Sequence, residues 1–344
     1  MLQTITGVVK HYDWGHDFKE SLVYHLAERG GHTCSKSENK YAELWLGTHP
    51  SGASPQLMES HVELPYLLKV LSIKKALSIQ VHPDAQQARK LHEQYPHIYT
   101  DANAKHEIAI ALTPFELFAG LQPPSIIEGN LDHYPEIKYR CKTIKDLLTI
   151  YQDDVLMLVK RVRQKQDKTR LDNLILRLYS QFGLDVGILC PIYMHYHCLE
   201  RGDAIYIPVG VPHAYMSGEI VEAMVSSDNV IRAALTPKLK DMEALFKAMT
   251  GEKAIFYPVQ STNRREYNVA EQFTIFVYNT IHTITLKVIA KTIILVLKGD
   301  GQINSQMVTE GQAFYVSSDI FLEIQSKDAP SPIEIVMISE YKHS

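Results

Sequence analysis

The residues able to do chemistry in this chain are histidines placed beside amides and carboxylates at strand spacing. Ala76-Leu-Ser-Ile-Gln-Val-His-Pro-Asp84 reads as a strand entering a turn. Alternation puts Ser78, Gln80 and His82 on one face and Leu77, Ile79 and Val81 on the other. Pro83 ends the ladder because it has no N–H to donate. The apolar face can enter a core. The polar face is then either a solvated edge or a buried row that needs partners, and a metal ion is one way to supply them.

Two further segments offer the missing partners. Glu107 stands first in the apolar run Ile108-Ala-Ile-Ala-Leu112, as a solvated terminus or as a site residue. Its neighbour His106 should point to the opposite face, so the two do not bind one ion. His213 ends Glu200-Arg-Gly-Asp-Ala-Ile-Tyr-Ile-Pro-Val-Gly-Val-Pro-His213, a turn, a short strand and a proline-stiffened loop. Gln80, His82, Glu107 and His213 make an N2O2 donor set that suits Zn, Fe, Mn or Co without choosing among them. Neutral His and Gln with one ionised Glu leave the ion net positive, able to act as a Lewis acid on a hydroxyl or carbonyl oxygen.

The elements that must position these residues are mostly strands. Tyr41–Pro50 begins with alternation, with Ala42, Leu44 and Leu46 opposite Glu43 and Trp45. Leu64–Leu71 and Lys75–His82 read as two more strands. Lys69 sits in an apolar stretch, where it either snorkels or faces a polar pocket. Trp14 and Trp45 either pack in the core or close over a ligand. Residues 123–190 change character: Lys142–Ile150, Val155–Arg163 and Thr169–Gln181 carry helical periodicity. Strands return from 191, and short strands with Gly turns after 251 suggest a second β unit with no comparable row of ligands.

Composition narrows the partners. A length of 344 residues suggests two domains, or two with an insertion. A net charge of −4 gives no bulk electrostatic case for nucleic acid, and no polybasic cluster marks a membrane surface. The start lacks an apolar signal-type segment, and no apolar run reaches membrane-span length. Cys34, Cys141, Cys190 and Cys198 form no CxxC pair, which fits reduced thiols in the cytoplasm.

Two resemblances sharpen this reading. Gly-Asp…Pro-x-Gly-x-Pro-His at 202–213 resembles the second motif of the cupin double-stranded β-helix, whose His commonly binds metal. More specifically, Tyr12-Asp-Trp-Gly15, Tyr41–Ser54, Leu64–Ser72, Ala76–Asp84, Glu107–Phe115, Pro212–Tyr215 and Ser226–Lys238 resemble the type I mannose-6-phosphate isomerases (phosphomannose isomerases). The resemblance covers most of 41–84, 101–123 and 200–240; the rest matches in outline only. It implies two cupin-like β-barrels of jelly-roll type with an all-α subdomain, a mainly β fold with a helical insertion. The expected division is 1–122 with 191–250 as the catalytic cupin domain, 123–190 as the helical insertion, and 251–344 as a metal-free cupin-like domain. It implies a monomer holding one zinc on Gln80, His82, Glu107 and His213. The activity implied is interconversion of mannose 6-phosphate and fructose 6-phosphate through a cis-enediol, within carbohydrate metabolism that feeds GDP-mannose. Catalytic roles fall to Arg232, Lys105, Glu222 and Asp228, and substrate contacts to Ser78, Lys69, Tyr215, Lys238 and Trp14. From residue type alone, Asp228 is equally a turn-forming residue, and Arg232 a buried partner of Glu222 or Asp228.

The chain departs from the family in one place. Asn-His-Lys-Pro-Glu is usual before the apolar strand, and here it is Asn103-Ala-Lys-His-Glu107. If the family's His takes part in turnover, His106 or a water must replace it. A cupin dioxygenase and a non-catalytic sugar-phosphate binder are the alternatives; Gln80 and the Lys/Arg set argue against the first, while Ala104 keeps the second open.

Overall fold

Period-two alternation builds the wall that carries these residues. In the computed structural model, which describes residues 2–37, 40–260, 262–317, 319–327 and 331–342, 36% of the chain is strand and 22% helix. The strands Glu43–Gly47, Tyr66–Ile73, His213–Val225 and Glu107–Ala111 lie side by side and antiparallel. Leu44, Leu46, Leu68, Val70, Ile108, Ile110, Val221 and Ala223 enter a core shared with the C-terminal sheet. Each such aliphatic burial is worth about 1.5–3 kcal/mol, so this face goes inward and fixes the register. The intervening positions, Glu43, Trp45, Lys69, Glu107 and Glu222, must then share the opposite face. Register sets Trp45 opposite Lys69 and Lys69 opposite Glu222.

These strands belong to an eleven-stranded sheet. Its long member His213–Val225 pairs with four others: Ile79–Val81, Phe115–Leu121, Glu107–Ala111 and Tyr66–Ile73. To do so it bends at Gly218, where φ is +116° and an added Cβ would lie 2.5 Å from the Pro114 carbonyl oxygen. Beyond this sheet, a six-stranded and a four-stranded sheet close over Ile294, Val296, Phe314 and Leu322. The first strand, Leu2–Ile5, belongs there rather than with the first β unit: it pairs with Ala313–Val316. Alternation explains the placement, since Leu2 packs against one core and Ile5 enters the other.

The helical block is present but differs in detail. Gln152–Gln164 and Arg170–Phe182 are helices, the second started by a Thr169–Asp172 capping box. The helix expected over Lys142–Ile150 is a single 3-10 turn, Asp146–Thr149. There the Asp146 carboxylate accepts from Thr143 N at 2.8 Å and Thr143 Oγ1 at 2.9 Å, a local alternative to a continuing helix. The helices bury Val155, Leu158, Ile175 and Leu178 in one core with Ile79 and Val81. The insertion thus covers the apolar back of the strand that carries Gln80. That strand is also shorter than expected, Ile79–Val81 rather than Lys75–His82. The preceding residues are held instead by Leu77 N donating to Tyr215 O at 2.8 Å and Ala76 N donating to Gln181 Oε1 at 3.0 Å. Among the described residues no helix is long and apolar enough to cross a membrane.

Gly218→Ala is expected to cost about 1–3 kcal/mol through the forced positive φ alone. The denaturant midpoint reads it, and an unchanged midpoint would show that the strand bends elsewhere.

Candidate metal centre

Three separate segments deliver the donors to one point. Gln80 and His213 are opposite each other in register, His82 follows the short strand directly, and Glu107 opens its own strand opposite Met224. His82 Nε2 lies 3.1 Å from Glu107 Oε1, and His213 Nε2 lies 3.4 Å from Glu107 Oε2. Gln80 Nε2 is 3.1 Å from His213 Nε2. Amide O and N have the same shape, so a half-turn of Gln80 brings Oε1 to that place. Ser78 Oγ, 3.2 Å from Gln80 Oε1, serves either orientation because a hydroxyl both donates and accepts.

This arrangement fits a metal ion. Donors about 2.0–2.2 Å from a tetrahedral ion lie roughly 3.3–3.6 Å apart, close to the spacings here. His82, Glu107 and His213 are each 1% exposed, and among the described residues His82 Nε2 and Glu107 Oε2 have no hydrogen-bond partner. Orphaned buried donor atoms of this kind are costly unless a ligand meets them. Both imidazoles are aimed from behind. His82 Nδ1 donates to Asn229 O at 2.7 Å and His213 Nδ1 to Val211 O at 3.0 Å, which leaves both Nε2 lone pairs facing the gap. Burial pushes the His82 imidazole down to about 4, outweighing the charge of Glu107, so it is neutral at neutral pH. Burial opposes ionisation of Glu107 as well, but neighbouring His82 and Lys105 overcome it and hold the carboxyl well below its usual range.

In front of these donors lies a cavity of about 460 Å³, lined by Trp14, Ser78, Gln80, Lys69, Lys105, Glu107, Tyr215, Glu222, Asp228, Arg232 and Lys238 among others. His82 and His213 sit behind it. The cations divide into two groups. Lys69 Nζ lies 2.9 Å from Glu222 Oε2 and 3.8 Å from Glu43 Oε2, over the Trp45 ring. Burial works against the Lys69 charge, but Glu222 and Glu43 overcome it and raise its pKa. Lys105 Nζ lies 2.8 Å from Glu107 Oε1. Both ammonium groups are therefore already matched by carboxylates. By contrast, Arg232, Lys238 and Lys75 line the cavity with no carboxylate within 4.0 Å among the described residues. Burial lowers the pKa of Arg232, opposed by Asp228; burial and then the charge of Arg232 lower that of Lys238. Lys75, held 4.7 Å over the Phe182 ring, escaped the sequence reading. It adjoins Lys74, which faces Asp17 and Glu20, and nothing local separates the two.

The remaining groups have definite partners. Asp228 Oδ2 accepts from Ser51 Oγ at 3.1 Å, and His49 Nε2 lies 3.5 Å from Oδ1. Tyr215 Oη is buried without a hydrogen-bond partner among the described residues, and burial, then Glu222, push the phenol well above its usual value. Trp14 stacks on Tyr12 at 5.7 Å at the cavity edge. His106 Nδ1 accepts from Tyr206 Oη at 2.8 Å, on the side of the strand opposite Glu107. It anchors the loop and does not line the cavity.

Known proteins share this framework. A family model for the catalytic domain of type I phosphomannose isomerase matches residues 2–62 and 55–124. A probable mannose-6-phosphate isomerase of Dictyostelium discoideum is 31% identical over 96% of this chain and 92% of its own length. Mannose-6-phosphate isomerase of Cryptococcus neoformans is 35% identical over 73% of this chain and 75% of its own. Among solved structures, a zinc-bound mannose 6-phosphate isomerase superposes with a TM-score of 0.82, covering 99% of this chain and 100% of that one at 22% identity. A mutant phosphomannose isomerase from Salmonella typhimurium gives 0.82 over the same shares at 21% identity. Identity to the Dictyostelium protein along nearly the whole length of both chains settles kinship: this chain belongs to the type I phosphomannose isomerase family.

Proposed function

We propose that this chain is a metal-dependent aldose–ketose isomerase that interconverts D-mannose 6-phosphate and D-fructose 6-phosphate, with one zinc held by Gln80, His82, Glu107 and His213. The observation that carries the proposal is the pairing, at one cavity, of this orphaned donor set with three cations that have no carboxylate within 4.0 Å among the described residues. The donors suit a Lewis-acidic ion, and the cations suit a dianionic phosphate. After burial, the charge of Arg232 lowers the preference of Lys238 for its charged form, and an anion beside them would relieve that repulsion. The relatives' names supply the substrate. Four free thiols suit a reducing compartment, and we place the protein in the cytoplasm.

When bound, the ion supplies Lewis acidity toward the sugar's hydroxyl and carbonyl oxygens. The chain's own residues do the rest. Lys75 and Lys238 hold the phosphate end. Ser78 and the protonated Tyr215 orient hydroxyls, and Arg232 stabilises charge on the enediol oxygen. A carboxylate takes the proton from C2 and returns it to C1, while a proton passes from O2 to O1. Glu222, with one oxygen on Lys69, and Asp228, steadied by Ser51 and His49, are the two carboxylates we assign to this, with Lys105 as a further candidate in the cavity wall. Trp14, Leu77 and Phe182 narrow the mouth and exclude water.

Chelator-stripped protein should regain isomerisation of mannose 6-phosphate when zinc is returned, without oxygen uptake. Binding without turnover under zinc, iron and manganese alike would make it a sugar-phosphate receptor instead. His82→Ala and His213→Ala should purify without stoichiometric zinc, as metal analysis would show; full occupancy in both would remove them from the ligand set. Lys75→Ala and Lys238→Ala should each raise KM about 10–100-fold, the size of a charge-assisted hydrogen bond. Wild-type KM in both variants would put the phosphate elsewhere.

A further inference from the structure

Two polar loops, 101–107 and 226–229, meet on a single carboxylate. Asp101 Oδ1 accepts from Asn103 N at 2.9 Å, Ser227 Oγ at 2.8 Å and Asn229 Nδ2 at 3.1 Å, and Oδ2 accepts from Asp228 N at 2.8 Å. Asn229 is fully buried, and its amide also donates to the Asp101 and Asn103 carbonyls at 3.0 and 2.9 Å. Ser227 Oγ in turn accepts from Asn229 N at 3.1 Å. The backbone carbonyl of Asn229 receives His82 Nδ1–H. Asp101 itself neither reaches the donor gap nor lines the cavity.

We infer that Asp101 is a positioning residue that sets two functional groups at once. By fixing the 227–229 turn it aims the carbonyl that locks the tautomer and ring angle of His82, and it presents the Asp228 side chain to the cavity. The residue type follows from the geometry. Donors converge on both oxygens, so an acceptor-only group is required. Asn would set its NH₂ against Asp228 N or against the three donors on Oδ1. Ala would strand Ser227 Oγ and Asp228 N while leaving Asn229 its two backbone acceptors, so the turn would loosen without the fold being lost. The first consequence rests on the assignment of His82 as a metal ligand.

The test compares wild type, Asp101→Ala and Asp101→Asn. Chelator competition should show the zinc dissociation constant of Asp101→Ala raised about 10–100-fold, the usual effect of removing an outer support of a metal ligand. Asp101→Asn should fall between it and wild type. In metal-free protein, amide hydrogen exchange should quicken at 101–103 and 227–229 in Asp101→Ala but not in the C-terminal sheet. Ser326→Ala, which loses a 2.6 Å bond to Ser331 O in that distant sheet, should leave the dissociation constant unchanged. If Asp101→Ala does not fold, Ser227→Ala, which removes one of the four donors, should raise the constant to a smaller extent. A folded variant with wild-type zinc affinity and wild-type exchange would overturn the inference. Wild-type protein that takes up no zinc would instead sink the metal assignment, and the exchange comparison would still decide whether Asp101 holds the turn.

Discussion

A carboxylate buried at the mouth of a strand is the constraint on which the site depends. Glu107 is 1% exposed, and removing such a charge from water carries a penalty of several kcal/mol unless positive charge and hydrogen bonds offset it. Lys105 contacts one oxygen, and His82 and His213 approach the two from either side. Neighbouring groups outweigh burial and hold the Glu107 carboxyl well below its usual range, yet among the described residues Glu107 Oε2 has no hydrogen-bond partner. A divalent cation would meet that oxygen, and the surrounding structure holds the gap open. Three strands fix the donors in register, two backbone carbonyls turn the imidazoles, and the helical insertion packs against the back of the Gln80 strand.

The same logic sorts the other charges. Glu43, Lys69 and Glu222 are all buried and lie next to one another, so two carboxylates share one ammonium, and burial raises the Glu43 pKa. Such a network is rigid, and it fixes the position of Glu222 relative to the donors. Arg232, Lys238 and Lys75 are the opposite case: they line the cavity with no carboxylate within 4.0 Å among the described residues, which leaves room for an anion. A cavity whose Glu222 and Glu107 carboxylates are engaged by Lys69 and Lys105, yet which keeps further cations, favours a ligand with a neutral reacting end and a dianionic tail. That is the charge distribution of a sugar phosphate.

Alternation made much of this legible before any fold was known. Glu43 and Trp45 opposite Leu44 and Leu46, and Ser78, Gln80 and His82 on one face, follow from a period of two, and the mainly β class with a helical insertion follows from the change of period near residue 123. What local patterns could not carry is pairing across distance. Nothing near Lys69 shows that its partner lies 153 positions later, so it looked like a free phosphate cation. Lys75 was overlooked for the converse reason, since only the fold shows which of two adjacent lysines turns to Phe182. Leu2–Ile5 joins the C-terminal sheet because its two faces suit two cores, a fact invisible until both cores exist. Asp101 is silent in the sequence, because a carboxylate gathering backbone and side-chain donors has no local signature.

The departure at 103–106 can now be understood in terms of what holds the loop. A proline before Glu107 would stiffen the entry to the strand by fixing φ and would forgo a side-chain bond. His106 achieves anchorage differently, by accepting from Tyr206 Oη and lying against its ring at 6.0 Å, while its backbone carbonyl accepts from Val225 N. One residue upstream, Ala104 contributes no polar group. The loop is therefore secured at its start by Asp101 and at its end by His106, with Lys105 between them held on Glu107. Restraint at both ends holds Glu107 in place without a side-chain contact from Ala104. Outside this loop, Glu222 and Asp228 are the further carboxylates that line the cavity.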